Sequence, residues 1–218
     1  MILSCIKEVI ELYERRRKER VVIVGGSMNP PHIPHQIIAM ELTKLFDFVY
    51  VIPCGFREDK STTNETSIHD RMEMAKIAFE NIPRVRLYLD DLENNIFTPT
   101  YLVQEKYQEL HPDAEIWHLI GQDLIAGGCM HNSEIQATWN KGTEIWNNLN
   151  FLVIVRPNYD ATDDDLPPHS EVIEIEGLVG SGTMIRDRVA RGLPIDGLVD
   201  PRVIEYIKEH NLYRGKKV

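Results

Sequence analysis

The stretch of sequence that decides the fold runs from residue 21 to residue 35 and reads VVIVGGSMNPPHIPH. Its first four residues, 21–24, are apolar on both faces, as expected for a parallel strand that is covered on two sides. Gly25 and Gly26 allow the backbone to turn sharply and to approach a ligand without a Cβ in the way. Pro34 suits a first helical turn, where its missing N–H loses no partner. The stretch therefore predicts a strand, a glycine turn and a helix start.

Two histidines lie at this predicted helix start. His32 and His35 are three residues apart, so they share one face of a helix. A helix N-terminus carries partial positive charge and unpaired N–H groups, so this face suits an anion such as a nucleotide phosphate. Lone structural histidines are commoner than functional ones, but the glycines and prolines around this pair favour a ligand site. The sequence has no HExxH or Cys/His metal spacing, so we expect neither histidine to bind a metal.

The rest of the chain alternates strands and helices without internal repeats. This alternation is typical of an α/β, Rossmann-like, doubly wound fold with a mainly parallel sheet. In such sheets ligands bind beyond the carboxyl ends of the strands, which is where residues 25–35 and 121–123 fall. Residues 158–170 are rich in Asp and Pro and predict a solvated loop. The strands are predicted at 21–25, 48–53, 84–89, 115–120, 150–155 and 171–176, and the helices at 34–46, 68–81, 99–110, 183–191 and 201–210.

The beginning of the chain predicts a separate element. Apolar residues recur at helical spacing from Ile2 to Tyr13, before a charged run that ends at Arg20. A signal peptide would have its basic residues first and an uninterrupted apolar core. We therefore predict an amphipathic helix over residues 1–19, packed on the domain or on a neighbouring subunit rather than on a membrane. The main domain then spans residues 20–218.

Composition excludes several classes of protein. The chain has 218 residues, 43% of them hydrophobic, and no apolar run near the roughly 20 residues that span a bilayer. Its net charge of −10 argues against a binder of nucleic acid or of acidic membranes, since those use broad basic surfaces. The absence of GxxxxGKS, GxxxxGKT and GxGxxG argues against P-loop NTPases and conventional dinucleotide-binding Rossmann enzymes. Cys5, Cys54 and Cys129 have no metal or CxxC spacing, which indicates reduced thiols and a cytoplasmic protein.

A second anion-binding segment is predicted at residues 181–188. Ser181 and Thr183 read as a cap, which puts Arg186 and Arg188 in the first turns of a helix. Cations there oppose the macrodipole by about 0.3–1 kcal/mol, unless an anion sits between them and the helix. A triphosphate would remove this penalty. The alternative is an arginine that turns away to a surface carboxylate, which the first motif makes less favourable.

Together these motifs resemble those of the nicotinate/nicotinamide mononucleotide adenylyltransferases, members of the HxGH nucleotidyltransferase superfamily. Residues 25–35 are similar to the family's opening motif, and residues 180–186, GSGTMIR, are similar to its SSTxIR motif. Residues 121–123 match a mid-chain GxD, and a YI…LY tail follows at 206–213. The sequence departs from the family at Pro34, which occupies the glycine of HxGH, and at Gly182, which replaces the second serine of SSTxIR.

The resemblance implies that a mononucleotide phosphate attacks the α-phosphorus of ATP and expels pyrophosphate, making NAD or deamido-NAD. It implies catalytic roles for His32, His35 and Arg186. Mg2+ would arrive bound to the substrate phosphates, with Asp123 as a less favoured direct ligand. The residues implied in ATP binding are Gly25, Gly26, Ser27, Met28, His32, His35, Gly121, Asp123, Ser181, Thr183 and Arg186.

The resemblance also implies a site for the pyridine mononucleotide. A tryptophan after the GxD motif stacks on the pyridine ring in this family, and Trp139 fits that segment. Trp117 and Trp146 are expected in the core. Lys60 or, alternatively, Arg57 would contact the acceptor phosphate. The full set predicted for the mononucleotide is Ser27, Asn29, Lys60, Trp139 and Arg156.

Two other functions remain open on the sequence. One is a sister nucleotidyltransferase that acts on pantetheine phosphate or an alcohol phosphate. The other is a nucleotide-binding regulatory domain that has lost turnover, which the departures at Pro34 and Gly182 suggest. The expected partners are ATP and a pyridine mononucleotide, with no nucleic acid and no membrane, and a homo-oligomer is open. Preference for nicotinate or nicotinamide leaves no side-chain signature in the sequence.

Overall fold

The computed structural model describes residues 17–58, 66–155 and 161–214. The amphipathic helix predicted over 1–19 lies almost wholly outside these residues. The strands are β1 Arg20–Gly26, β2 Phe48–Pro53, β3 Val85–Leu87, β4 Glu115–Gly121, β5 Asn150–Ile154 and β6 Ser170–Ile173. The helices are α1 Ile33–Leu42, α2 Ile68–Phe79, α3 Asp90–Glu93, α4 Thr100–Leu110, α5 Glu134–Thr138, α6 Gly142–Asn148, α7 Gly182–Ala190 and α8 Pro201–Glu209.

The six strands form one parallel sheet in the order β3-β2-β1-β4-β5-β6. The chain moves outward in one direction from β1 to β3 and then crosses back to continue from β4 to β6. This is the doubly wound arrangement, and the predicted fold class is confirmed. The crevice between the carboxyl ends of β1 and β4 is the topological switch point, where such sheets bind their ligands.

The sheet is covered on both faces, as the apolar sequence of β1 predicts. Val22 and Val24 lie in a core cluster with side chains of α1, α2, α7 and α8. Val21 and Ile23 point to the opposite face and pack with Tyr107 of α4. All four β1 residues are at most 5% exposed, and each such aliphatic side chain stabilises the fold by about 1.5–3 kcal/mol. Their burial fixes the strand that carries the first motif.

The predicted boundaries are less accurate at the edges of the sheet. The ranges predicted as strands at 84–89 and 171–176 each contain only three strand residues, since β3 is Val85–Leu87 and β6 is Ser170–Ile173. Both are edge strands, each paired on one side only, so fewer ladder bonds extend them. The predicted solvated loop over 158–170 is partly wrong, because Asp165 is 6% exposed and lies in a 3₁₀ turn.

The largest omission in the sequence analysis lies between β4 and β5. This β4–β5 segment contains α5, α6 and 3₁₀ turns at Gln122–Leu124 and Gly128–Met130, none of which was predicted. Ser133 begins α5 with a capping box, since its Oγ accepts from the Gln136 N–H at 3.2 Å. The Ser-x-x-Gln pattern was therefore a readable signal. Among the described residues, no helix is long and apolar enough to cross a bilayer.

Candidate active site

The β1 loop, residues 27–32 between β1 and α1, turns differently from the sequence-based expectation. Gly25 and Gly26 are the last residues of β1 rather than a turn, and the left-handed backbone lies at Met28, with a φ of 44°. A Cβ added to Gly25 would have no protein atom within 4 Å. The fold itself therefore does not demand a glycine at this position. What the glycine leaves is open space at the carboxyl end of β1, where a ligand can approach the backbone.

A buried arginine that was not predicted from the sequence forms a hydrogen bond to the backbone of this loop. Arg71 of α2 is 1% exposed, and its Nη2 donates to the carbonyl oxygens of Ser27 at 2.6 Å and Cys54 at 2.5 Å. Burial lowers the pKa of the Arg71 guanidinium from its ordinary value. The side chain ties the loop after β1 to the loop after β2. Its sequence signal was an arginine in register with Met74 and Ala75 on the buried face of α2.

The two histidines lie at the start of α1 as predicted. Their rings stack with centroids 3.7 Å apart and an interplanar angle of 11°. The His32 N–H donates to Nδ1 of His35 at 3.2 Å. Since Nδ1 accepts, the neutral His35 ring carries its proton on Nε2. The pairing therefore sets the tautomer of His35 and makes Nε2 its donor.

Backbone N–H groups at the start of α1 already donate hydrogen bonds within the protein, contrary to the expectation of unpaired N–H groups there. The Ile33 N–H donates to the Leu198 carbonyl at 2.9 Å, and the His35 N–H donates to the His32 carbonyl at 2.9 Å. Pro34, buried in the first turn, has no N–H to offer. A donor to an anion at this helix start would therefore be an imidazole side chain rather than one of these backbone N–H groups.

The second motif lies against the first. Ser181 caps α7, its Oγ accepting from the Met184 N–H at 3.2 Å. Arg186 donates from Nη1 to the Asn29 carbonyl at 2.8 Å and from Nη2 to Thr183 Oγ1 at 3.2 Å. The arginine thus turns toward the β1 loop, and its bond to Asn29 joins segments that are 157 positions apart in the sequence. The N–H groups in the first turn of α7, at residues 182 and 183, have no intrahelical acceptor.

Arg188 does not join this site. It lies in the last turn of α7, not in the first turns as predicted, and its Nε donates to the Pro194 carbonyl at 2.8 Å. A cation there suits the negative end of the helix. One arginine of the motif therefore faces the site and the other supports the following turn.

The departure at Gly182 has a structural reason. A Cβ at this position would lie 3.2 Å from the Asn29 carbonyl oxygen and 3.1 Å from Nη1 of Arg186. Both distances are tighter than ordinary van der Waals contact. A side chain would press on the bond that joins the two motifs, and glycine lets the start of α7 approach the β1 loop closely.

The predicted GxD lies on the other side of the crevice. Gly121 is the last residue of β4, and Asp123 is exposed in the 3₁₀ turn that follows. Because β4 pairs directly with β1, this turn faces the switch point together with the β1 loop. Within residues 17–58, 66–155 and 161–214, no group of three His, Cys, Asp or Glu side chains forms a metal cage.

The three tryptophans differ in burial, and two of them lie in the core as predicted. Trp117 and Trp146 are 7% and 5% exposed, which confirms the prediction that both are core residues. Trp139 is half-buried at the end of α5 and packs against the core cluster that contains Ile120 and Trp146. The Trp139 side chain therefore packs on the part of the core formed by β4 and β5. Its role as a stacking platform stays a prediction.

The remaining predicted acceptor residues are only partly described. Lys60 and Arg156 lie outside the residues that the structure describes. Arg57, the alternative to Lys60, places its guanidinium carbon 4.7 Å from the centre of the Phe97 ring. Ser27 and Asn29 belong to the β1 loop, so both lie beside the histidine pair along the chain.

Comparison with known proteins agrees with this geometry. The cytidylyltransferase-like family model matches residues 23–188. A "Probable nicotinate-nucleotide adenylyltransferase" of Leifsonia xyli subsp. xyli is 32% identical over 212 residues, which cover 94% of this chain and 99% of that protein. Another of that name, from Clavibacter michiganensis, is 32% identical over 200 residues, covering 90% and 94%.

A solved structure has the same fold. It is the Plasmodium falciparum nicotinic acid mononucleotide adenylyltransferase complexed with NaAD, and it superposes with a TM-score of 0.72 at 26% identity. The match covers 89% of this chain and 97% of that one. Sequence motifs, sheet order and relatives therefore agree, and the chain belongs to the nicotinate-nucleotide adenylyltransferase family of cytidylyltransferase-like nucleotidyltransferases.

Proposed function

We propose that this protein transfers the adenylyl group of ATP to nicotinate mononucleotide, forming deamido-NAD and pyrophosphate. The observation that carries the proposal is the bond from Arg186 Nη1 to the Asn29 carbonyl, 2.8 Å long. It joins the two family motifs at the carboxyl edge of the sheet, beside the switch point. The names of the relatives favour nicotinate over nicotinamide as the pyridine group.

The reaction needs no protein nucleophile. A phosphate oxygen of the mononucleotide attacks the α-phosphorus of ATP, and the bond from that phosphorus to the bridging oxygen breaks as pyrophosphate leaves. Both reactants are anions, so the protein must hold them together against repulsion and stabilise the charge that grows on the leaving group. Positioned cations and N–H donors are the groups that this task requires.

The described residues supply such groups around the β1 loop. We propose that the backbone of Gly25, which faces open space, and that of Gly26 receive the ATP phosphates, and that His32 and His35 donate to them. Nε2 of His35 is suited to this, because its Nδ1 already accepts from the chain. A positioned donor of this kind accelerates a reaction by about 10²–10³.

The start of α7 provides a second set of donors on the same substrate. We propose that Ser181, Thr183 and Arg186 hold the triphosphate, with the first-turn N–H groups of α7 beside them. The bonds from Arg186 to Asn29 and Thr183 fix its guanidinium before substrate binds. This preorganisation avoids ordering a long side chain during the reaction.

The adenosine and its metal complete the ATP side. We propose that Gly121 and Asp123 contact the adenosine ribose, and that Met28 lines the same nucleotide site. Mg2+ would enter with ATP, held mainly by phosphate oxygens and water, because the described residues offer no carboxylate cage for it. It would neutralise phosphate charge, while the protein residues bind and orient the nucleotide.

On the acceptor side, the half-buried Trp139 is the proposed stacking surface for the pyridine ring. A flat, electron-poor ring gains from contact with an aromatic face. Ser27, Asn29, Lys60 and Arg156 are proposed contacts of the mononucleotide, with Arg57 as the alternative to Lys60.

The experiment is a pyrophosphate-release assay with ATP and a panel of acceptors. The panel contains nicotinate mononucleotide, nicotinamide mononucleotide, phosphopantetheine and an alcohol phosphate. We expect turnover with nicotinate mononucleotide and slower turnover with the nicotinamide form. Preference for phosphopantetheine or the alcohol phosphate would assign a sister activity. ATP binding without release for any acceptor would indicate a regulatory domain.

Other parts of the proposal concern the whole protein. We propose a nucleotidyltransferase domain over 20–218 with an N-terminal extension over 1–19, acting in the cytoplasm. Size-exclusion chromatography with light scattering tests the open possibility of a homo-oligomer. Comparison with a variant that lacks residues 1–16 tests whether the extension contributes to assembly.

A further inference from the structure

The segment after α8 folds back toward the β1 loop. Helix α8 ends at Glu209, and Asn211, with a φ of 53°, turns the chain. The Leu212 N–H then donates to the Ile207 carbonyl at 3.0 Å, which closes the turn on the end of α8. The turn delivers the next residue, Tyr213, to the core cluster beneath the loop.

The Tyr213 hydroxyl donates to Oδ1 of Asn29 and lies 3.9 Å from Sδ of Met74. Asn29 is 2% exposed, so this bond is shielded from water. Burial raises the pKa of Tyr213, which keeps its hydroxyl protonated and able to donate. The contact spans 184 positions in the sequence.

A residue with unfavourable, left-handed backbone angles lies on each side of this contact. Tyr213 has a φ of 57°, and Met28, next to Asn29, has a φ of 44°. Bulky side chains rarely adopt left-handed backbone, and such residues persist only where their surroundings fix them. Their presence on both sides indicates that the structure holds this contact in one arrangement.

Asn29 is thus bonded by two distant segments at once. Its carbonyl accepts from Arg186 of α7, and its side-chain oxygen accepts from Tyr213. The first bond concerns the residue proposed to hold the triphosphate. The second concerns the amide side chain, one of the proposed contacts of the mononucleotide. Under the proposed function, the carbonyl of Asn29 therefore supports the ATP side of the site through Arg186, and its side chain serves the mononucleotide side.

We propose that Tyr213 is a positioning residue for the acceptor, whose hydroxyl fixes the orientation of the Asn29 amide toward the pyridine mononucleotide. The inference rests on the proposed adenylyl transfer. An amide can rotate to exchange its oxygen and nitrogen, and a donor on the oxygen selects one of the two orientations. Loss of that donor should weaken binding of the mononucleotide, with little effect on ATP.

The test compares Tyr213→Phe with a matched control, Tyr206→Phe. Tyr206 lies in α8, and its hydroxyl donates to Oδ1 of Asp70 in α2 at 2.9 Å. The control therefore also removes one tyrosine hydrogen bond from the C-terminal region to a side-chain oxygen, but one that does not reach the β1 loop. Michaelis constants for ATP and nicotinate mononucleotide are measured for both variants, for Asn29→Ala and for the double variant Tyr213→Phe/Asn29→Ala. Circular dichroism melts report folding.

We expect Tyr213→Phe to raise the KM for the mononucleotide about 3- to 10-fold, the loss typical of one hydrogen bond. The KM for ATP and the turnover number should stay within twofold, and Tyr206→Phe should match wild type. In the Asn29→Ala background, Tyr213→Phe should add nothing further.

Equal changes in Tyr213→Phe and Tyr206→Phe, or an added effect of Tyr213→Phe without the Asn29 side chain, would overturn the inference while the wild type still turns over. A wild type that makes no dinucleotide would overturn the proposed function and this inference together. Should Asn29→Ala fail to fold, the comparison of the two Phe variants decides alone.

Discussion

The β1 loop, residues 27–32, and the β4–β5 segment are held in place by different means. The loop receives hydrogen bonds from Arg71, Arg186 and Tyr213, which lie 44, 157 and 184 positions away from their partners in the sequence. The hydrogen bonds seen in the β4–β5 segment, by contrast, are mostly local, in caps and 3₁₀ turns, with longer ones to Ala161 and Asp165, and its buried side chains pack on β4 and β5.

This difference matches the two tasks that we propose. Charge stabilisation in phosphoryl transfer needs donors fixed before the reaction, which a loop bonded from three directions can supply. Stacking on a pyridine ring needs a flat surface and tolerates small displacements. A locally held segment that carries Trp139 meets that need. Changes at the histidine pair and at Arg71, which supports the loop backbone, should therefore reduce turnover. Changes in the β4–β5 segment should alter acceptor affinity or local stability, as should loss of the Tyr213 hydroxyl, which donates to the Asn29 side chain of the loop.

The largest effect is expected from the histidine pair. His32→Ala or His35→Ala should lower turnover by a hundredfold or more, about 3 kcal/mol of transition-state stabilisation, with the fold intact. His69→Ala is the control, since this exposed histidine lies in the first turn of α2. Steady-state kinetics give the comparison. Turnover within threefold of wild type for both pair variants would remove the histidines from the mechanism.

The next effect concerns the buried arginine beneath the loop. Arg71→Met leaves the Ser27 and Cys54 carbonyls without this donor, so the unfolding free energy should fall by about 1–3 kcal/mol for each. Turnover should fall as well, because the backbone of the β1 loop loses its connection to the loop after β2. Urea denaturation and kinetics at a temperature where the variant is folded measure both quantities.

Arg84→Met is the matched control for this variant. Arg84 is an exposed arginine that also donates to a backbone carbonyl, that of Phe46 at 2.9 Å, but away from the site. Its replacement should change the unfolding free energy by about 0.5 kcal/mol or less and leave turnover unchanged. Wild-type turnover in folded Arg71→Met would show that the loop needs no such support.

A selective effect is expected in the β4–β5 segment. Trp139→Ala should raise the KM for the mononucleotide about tenfold and leave the KM for ATP unchanged, since base-type stacking contributes about 1–3 kcal/mol. The turnover number should survive, because the contact is present before and during the reaction. Equal weakening of both substrates would mean that Trp139 does not contact the ring.

Trp146→Ala is the control for that experiment. This tryptophan is 5% exposed in the same segment, so its truncation should lower the unfolding free energy by about 3–5 kcal/mol without distinguishing the substrates. A selective acceptor defect in Trp146→Ala would show that Trp146, rather than Trp139, stacks on the pyridine ring.

The smallest effect is an acid dependence of the bond between the β4–β5 segment and Asp165, which lies after β5. Hydrogen bonds from the Thr162 N–H, then from the thiol and N–H of Cys129, lower the pKa of Asp165 to about 2. The stability that this carboxylate contributes is present above its ordinary pKa of 3.8 and is lost as the pH falls toward 2. The melting temperature of Asp165→Asn should therefore lie below that of wild type at pH 7, and the difference between the two should become smaller between pH 4 and pH 2. Asp163→Asn, a change at an exposed neighbour, should show no such difference.

The sequence predicted the parts of the molecule that depend on local pattern. The apolar run of β1, the proline in the first turn of α1 and the serine that caps α7 all lie where their spacing indicates. The sheet order agrees with the alternation of strands and helices. These features arise from side chains that are neighbours along the chain, so periodicity and turn chemistry suffice to find them.

The long-range hydrogen bonds could not be predicted in the same way. Nothing local to Tyr213 indicates that its hydroxyl reaches Asn29, and nothing local to Gly182 indicates that the Asn29 carbonyl would crowd a side chain there. Gly142 is similar, because a Cβ at this position would lie 2.1 Å from the Ile135 carbonyl oxygen. Such constraints exist only after the chain has folded, which is why the sequence indicated candidate site residues but not the contacts that support them.

A crystal structure of the protein with deamido-NAD tests the division between the two regions most directly. We predict that the phosphates of the dinucleotide lie within hydrogen-bond distance of His32 and His35 in the β1 loop, and that the pyridine ring stacks on Trp139. Phosphates bound away from the histidine pair, or a pyridine ring that does not touch the β4–β5 segment, would contradict the account.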